Sequence, residues 1–236
     1  MTAPLAVVIP CLQEAQRLPL LLADLATAPP GLIAERVVVD GGSRDGSGAL
    51  ASLAGARWIR CNPGRGRQLQ RGIADTSAAW LLLLHADARL PAGWSAAVSA
   101  VLAAASPAQP PTAWCFDLAV DQAGLGLRLL ELAVAVRTRV RQLPYGDQGL
   151  LLPRTLLNAC GGVQPLPLME DLELMLRLRQ HAKVRSLGLP LRVNGRRWQR
   201  HGVLGAAWRN AALRRAWRNG QSAQELAALY YASTTT

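Results

Sequence analysis

The sequence runs to 236 residues but contains only four cysteines, one phenylalanine and a single lysine, Lys183, among its 26 basic side chains. Cys11, Cys61, Cys115 and Cys160 lie far apart with no C-x-x-C pair, which excludes a disulfide scaffold and a structural zinc site. No apolar run is longer than the seven residues 78–84, whereas a membrane-spanning helix needs about 20. The first residues lack a basic stretch, and their apolar run passes directly into Gln13 and Glu14, unlike a cleavable signal, so the expected location is the cytoplasm. Charged residues make up only 17% and apolar ones 50%, so a disordered chain is excluded except at its ends.

The net charge of +11 is unevenly spread. Residues 191–236 hold eight arginines and one acid, a net +7, against +4 for residues 1–190. Such a concentration attracts phosphates of any kind: a nucleotide, an anionic lipid or a nucleic acid. The basic tail is therefore also a candidate for peripheral contact with the inner face of a membrane.

Short apolar runs alternate with helical spacing along the chain. Strands are expected at 5–9 (ended by Pro10), 36–40, 57–61 and 80–84, with helices at 18–25, near 45 onward, and at 65–76. Continuous apolar strands separated by helices predict an α/β fold, a mostly parallel sheet covered on both faces. From Pro91 the pattern loosens into an Ala-rich helix, a proline-bearing loop and a strand at 114–120, where an active-site insertion is expected. A helix at 125–140, a strand at 149–152, a helix at 168–180, an extended segment at 184–193 and a basic helix at 203–219 follow. This predicts one domain over residues 1–200, with a basic helical extension at 201–236 packed on it.

In open α/β sheets ligands bind beyond the carboxyl ends of the strands, and the polar residues collect there. Asp40 closes the second strand ahead of Gly41-Gly42-Ser43; it can read a nucleobase or ribose, or serve a turn. Gly64-Arg65-Gly66-Arg67-Gln68-Leu69 departs from a dinucleotide fingerprint at Leu69, and its arginines at a helix start suit a diphosphate or merely a solvated surface. His85 and Asp87 close the fourth strand and share one side of an extended segment. Together they could hold Mg2+ or Mn2+ beside phosphate oxygens, although a hydrogen-bonded strand-end histidine is the commoner explanation. In Glu170-Asp171-Leu172-Glu173, acids simply suit a first helical turn. The spacing nevertheless puts Glu170 and Glu173 on a polar stripe and Asp171 on the apolar side, where a raised pKa would suit a general base. Arg196, Arg197 and Trp198 combine guanidinium groups with a flat ring, fit for phosphate and a sugar face or for surface packing.

Taken in order, Val8-Ile9-Pro10 with Glu14, residues 39–47, residues 84–87, Glu170-Asp171 and Arg196-Arg197-Trp198 resemble the motifs of family 2 glycosyltransferases, inverting enzymes of the GT-A fold. The strings GRGRQLQRG, LLHAD, GDQ and PLMED resemble a short subgroup of the kind connected with arsenosugar biosynthesis. The first Asp of the D-x-D motif is His85 here. The resemblance implies a GT-A domain over residues 1–200 and transfer of a hexosyl group from a UDP- or GDP-linked sugar to a small-molecule or lipid acceptor. It implies that Pro10, Glu14, Asp40, Arg67, Asp87 and Arg197 bind the nucleotide sugar, and that Asp87 with His85 holds Mg2+ or Mn2+. Asp171, with Glu170, would be catalytic, and Asp147, Gln148 and Trp198 would lie on the acceptor side.

Two other readings compete. A nucleotidyltransferase could use a similar sheet, although Pro10-Cys11-Leu12-Gln13 is no Gly-rich, Lys-bearing loop. A non-enzymatic basic nucleic-acid binder would explain the tail charge, but no specific nucleic-acid partner is expected.

Overall fold

The structure, a computed structural model, describes residues 4–106, 108–195, 198 and 202–232. Seven strands form one sheet: β1 (Leu5–Cys11), β2 (Ile33–Asp40), β3 (Arg57–Arg60), β4 (Trp80–Leu83), β5 (Thr112–Val120), β6 (Leu150–Pro153) and β7 (Lys183–Val193). Their order is β3-β2-β1-β4-β6-β5-β7, and β6 alone runs antiparallel to its neighbours. The helices are α1 (Leu18–Ala26), α2 (Ser47–Leu53), α3 (Arg65–Ala74), α4 (Trp94–Ala104), α5 (Leu125–Arg141), α6 (Arg154–Ala159), α7 (Glu170–His181), α8 (Val203–Arg218) and α9 (Ala223–Ala232). This is the mostly parallel α/β sheet that the apolar runs predict.

Alternate residues of β1 feed opposite cores, which is why all seven are apolar and buried. Ala6 and Val8 face a core built with α3, α6, α7 and α9. Leu5, Val7 and Ile9 face another built with α1, α2 and α4. A smaller cluster joins α5 to β5 and β7. Leu226 and Ala227 of α9 are buried in the first core.

Several expected boundaries shift. Pro10 does not end β1, which continues to Cys11 with Pro10 paired opposite Val39. Val8, two residues earlier and so on the same side of the strand, gives its carbonyl to the Leu84 N–H at 3.1 Å; the ladder to β4 stops there, and the N–H that proline lacks has no partner to lose. In the looser region after Pro91, α4 packs on the sheet, with Trp94 and Val98 buried in the second core. Helices α6 and α9, which the spacing does not reveal, complete the first core.

The two halves of the chain meet where the segment before α7 crosses the start of α3. The Gly66 N–H donates to Leu166 O at 3.2 Å. A Cβ on Gly66 would lie 2.3 Å from Gln164 O and 2.6 Å from Leu166 O, backbone atoms that cannot swing aside. Gly66→Ala is therefore expected to destabilise the protein by about 1–3 kcal/mol through overpacking. Equilibrium urea unfolding checks this, and an unchanged midpoint would show that the crossing is loose.

Candidate active site

Beyond the carboxyl ends of the central strands lies an open cleft of about 820 Å3. Its first wall comes from the loop after β1. There the Gln13 N–H donates to Ser43 Oγ at 2.8 Å, the Glu14 N–H to Ser47 Oγ at 3.0 Å and the Ala15 N–H to Asp45 Oδ2 at 2.9 Å. The Ser43–Asp45–Ser47 loop thus clamps the chain that brings Glu14 to the cleft. Gln13 Oε1 in turn accepts from the Arg44 N–H at 2.8 Å, linking this wall to a second, shallower groove lined by Ser43, Arg44, Arg60 and Asn62.

His85 and Asp87 both line the cleft, but on a turn rather than an extended segment, since the Ala88 N–H closes back on His85 O at 3.1 Å. Asp147, Asp171 and Trp198 line the same cleft, so carboxylates from distant parts of the sequence converge. Asp171 Oδ2 accepts the Gly146 N–H at 2.9 Å and Oδ1 accepts its neighbour Leu172 N–H at 2.7 Å, which fixes the carboxylate at the start of α7. A Cβ on Gly146 would stand 2.7 Å from His85 Nε2 and 3.3 Å from Asp171 Oδ2, so His85 and Asp171 approach one glycine from two sides.

Other expected site residues sit elsewhere. Pro10 is buried inside β1 and does not reach the cleft. Asp40 is only 1% exposed; its Oδ1 accepts from the Gly42 N–H at 3.2 Å, the Ser43 N–H at 2.9 Å and the Ser43 hydroxyl at 2.6 Å. The turn uses Oδ1 alone, and Oδ2 is buried with no hydrogen-bond partner among the described residues. Arg67 points to solvent, and Arg65, two residues earlier on α3, takes the cleft-lining place. Gln148 is fully buried. It donates to Phe116 O at 3.0 Å and accepts from Arg137 and Thr138, which makes it a scaffold residue and not an acceptor contact. Arg196 and Arg197 lie outside the described residues.

At the start of α7 Glu170 leaves the polar stripe expected for it, while Asp171 borders both the cleft and a small apolar pocket with Leu174 and Met175. Met169 takes a left-handed conformation with φ 68°, and the helix then begins with Glu170 buried and Asp171 facing the cleft. Glu170 pairs with Arg65 Nε at 2.9 Å, and its Oε2 is buried with no hydrogen-bond partner among the described residues. Burial pushes the Glu170 carboxyl up to about 7, the Arg65 guanidinium opposes the rise, and the neighbouring Asp171 charge adds to it. The raised carboxyl is thus Glu170, beneath the site. Burial also pushes the Cys11 thiol up to about 11, so it is no nucleophile.

The sequence reading missed Tyr145, Asn194, Asn210 and Arg214, all of which line the cleft. Tyr145 precedes the Gly146-Asp147-Gln148 turn, and Asn210 and Arg214 belong to the basic helix; charge alone gave no reason to bring that helix back to the strand ends. No metal cluster of three or more His, Cys, Asp or Glu side chains occurs among the described residues.

The family model of Glycosyl transferase family 2 matches residues 6–106. No curated protein sequence matches the chain. Among solved structures, glucosyl-3-phosphoglycerate synthase from Mycobacterium tuberculosis with Mn2+, UDP and phosphoglyceric acid is similar at 22% identity and a TM-score of 0.61, over 92% of this chain and 79% of that one. The same enzyme with Mn2+, UDP-glucose and phosphoglyceric acid gives 20% identity and a TM-score of 0.56, over 79% and 70%. At such identities the likeness establishes the fold, and the fold is that of GT-A glycosyltransferases.

The buried Glu170 makes a pH dependence. An unfolded glutamate titrates at its ordinary 4.5, the folded one at about 7, so between these values the folded state holds the extra proton. Stability from this group is fully present below the lower value and is lost as pH rises through the upper one. Glu170→Gln should flatten the fall in melting temperature between about pH 5 and pH 8. Equal slopes for the two proteins, measured by calorimetry, would show that Glu170 is ionised throughout.

Proposed function

We propose that the chain is an inverting glycosyltransferase that moves a hexosyl group from a UDP- or GDP-linked sugar to the hydroxyl of a small-molecule or lipid acceptor. The observation that carries this reading is the convergence of Asp87 and Asp171, from the two halves of the chain, on one cleft at the strand ends of a GT-A sheet. The family 2 match over residues 6–106 supports it. So does the binding of a UDP-sugar by a similarly folded enzyme. A short subgroup connected with arsenosugar biosynthesis is the reading that the sequence strings favour.

The donor's nucleotide would lie over the β1–β2–β3 side, in the groove that Ser43, Arg44, Arg60 and Asn62 line, with its diphosphate reaching past Gln13 into the cleft. His85 and Asp87 are two protein ligands, fewer than a resident metal site needs. They fit a hard divalent cation that shares its remaining positions with diphosphate oxygens and water. Bound there, Mg2+ or Mn2+ would neutralise charge on the departing diphosphate. The same-fold neighbour holds Mn2+ with UDP-glucose.

Asp171 is the proton acceptor in this reading. Two backbone N–H groups fix its carboxylate while it stays open to the cleft. The acceptor oxygen forms its bond to the anomeric carbon as the bond to the diphosphate oxygen breaks, and its proton passes to Asp171; one displacement inverts the centre. Glu170 acts beneath, holding Arg65 at the cleft wall. Asp147 and Trp198 line the same cleft and would face the acceptor. No described helix is long and apolar enough to cross a membrane. We place the enzyme in the cytoplasm, where the exposed Trp208 and the Arg215 and Arg218 guanidiniums of α8 suit an anionic membrane face.

Asp171→Asn should lower transfer by about 10²-fold or more, the usual worth of a general base, while UDP with Mn2+ still raises the melting temperature. Donor-consumption assays read the first arm and thermal shift the second. Transfer at the wild-type rate would remove Asp171 from the chemistry.

A further inference from the structure

Arg214 enters the cleft from α8, half-buried, with its guanidinium carbon 5.1 Å from the centre of the Tyr145 ring. Arg137 stacks on the same ring at 3.7 Å. The two cations differ in what satisfies them. Arg137 gives its N–H groups to Leu143 O at 3.0 Å and Gln148 Oε1 at 3.1 Å. Arg214 makes no hydrogen bond or ion pair among the described residues. A half-buried guanidinium with only an aromatic face for company still has its N–H donors to offer, and a second cation across that ring makes an incoming negative charge more favourable. Consistent with this crowding, Arg137 has its pKa lowered, first by burial and partly by Arg214.

Asn210 lines the cleft four residues earlier, on the same helix face as Arg214. We propose that Arg214, with Asn210, forms the acceptor subsite and that it takes an acceptor carrying an anionic group, a phosphate or a carboxylate. A planar guanidinium fork matches two oxygens of either group. The inference rests on the glycosyl-transfer reading and assigns the substrate class of the same cleft.

Position separates this subsite from the donor. Helix α8 packs on α5, and α5 covers β5 and β7, the half of the sheet away from the β1–β2–β3 side where the nucleotide would lie. Tyr145 beneath Arg214 directly precedes Gly146, whose N–H holds Asp171 Oδ2. An anion held by Arg214 thus places the rest of its molecule beside the carboxylate that would remove the hydroxyl proton. This also gives the basic extension a role in catalysis: one of its arginines completes the wall of the cleft.

The test uses thermal shift and calorimetric titration on the full chain, with UDP and Mg2+ in saturating amounts and inorganic phosphate as the probe. In the wild type, phosphate should give an additional rise in melting temperature. Arg214→Ala should weaken phosphate about ten-fold or more and leave the UDP shift as it was, which also shows that the variant is folded. Arg214→Lys, a charge without the fork, should recover part of the loss. Phosphate binding equally well to Arg214→Ala overturns the proposal. A loss of the UDP shift in that variant also overturns it, by assigning Arg214 to the donor diphosphate. If UDP gives no shift even in the wild type, the glycosyl-transfer reading falls, and the acceptor assignment falls with it.

Discussion

The ion pair between Arg65 and Glu170 and the backbone crossing beside it hold the cleft together, because each joins a residue at the start of α3 to the segment that opens α7. Without that junction the two halves of the chain would share a sheet but not a site. Gly66 admits the crossing segment at backbone distance, and Arg65 one residue earlier anchors the carboxyl of Glu170. The left-handed turn at Met169 then sets the phase of α7, so that one acid goes under the floor and the next into the cleft. Two consecutive carboxylates thereby take different jobs without any difference in chemistry. Orientation alone divides them.

The same division recurs through the polar residues at the strand ends. Asp40 and Gln148 look like ligand-binding groups because acids and amides beyond a strand usually meet a ligand. Here both are buried: Asp40 Oδ1 accepts from the N–H groups of its own turn, and Gln148 ties Phe116 O of β5 to Arg137 and Thr138 of α5. A buried turn has backbone donors that need partners, and a short polar side chain next to them is the least costly supply. Open positions on the cleft wall go to residues beside them in sequence, such as Arg65 and Asp147.

Much of the fold could be read from periodicity. Buried parallel strands such as 37–39 and 81–83 are uninterrupted apolar runs, and their alternation with helices implies a doubly covered sheet. The convergence of His85, Asp87, Asp147, Asp171 and Trp198 also followed from the order of the motifs. What could not be read is rotational phase. The spacing of Leu174, Met175 and Leu178 put Asp171 on their side, and it does share a small apolar pocket with Leu174 and Met175; what the spacing could not show is that Glu170, on the expected polar stripe, is buried against Arg65. Nor could the spacing show that Arg65 lines the cleft while Arg67 is exposed, since which of two arginines faces inward depends on the tilt of α3 over β1 and β2. That tilt is fixed by contacts such as the Gln68 amide on Cys11 O and Val39 O, both at 2.8 Å.

The C-terminal helices show how composition can mislead in the other direction. Their arginine content invites an electrostatic explanation, a surface for polyanions, yet their apolar residues decide where they go. Leu226 and Ala227 are buried in the core beside α7, and Leu213, Ala216 and Trp217 of α8 pack against it. Once α8 is seated by that burial, its remaining faces have fixed destinations. Trp208 is left in solvent, while Asn210 and Arg214 turn toward the strand ends. A helix held by its apolar stripe can afford a half-buried guanidinium, because the packing on its other face offsets the desolvation that guanidinium suffers. The charge at this wall of the cleft is therefore set by the packing of the extension, and the sheet alone would not supply it.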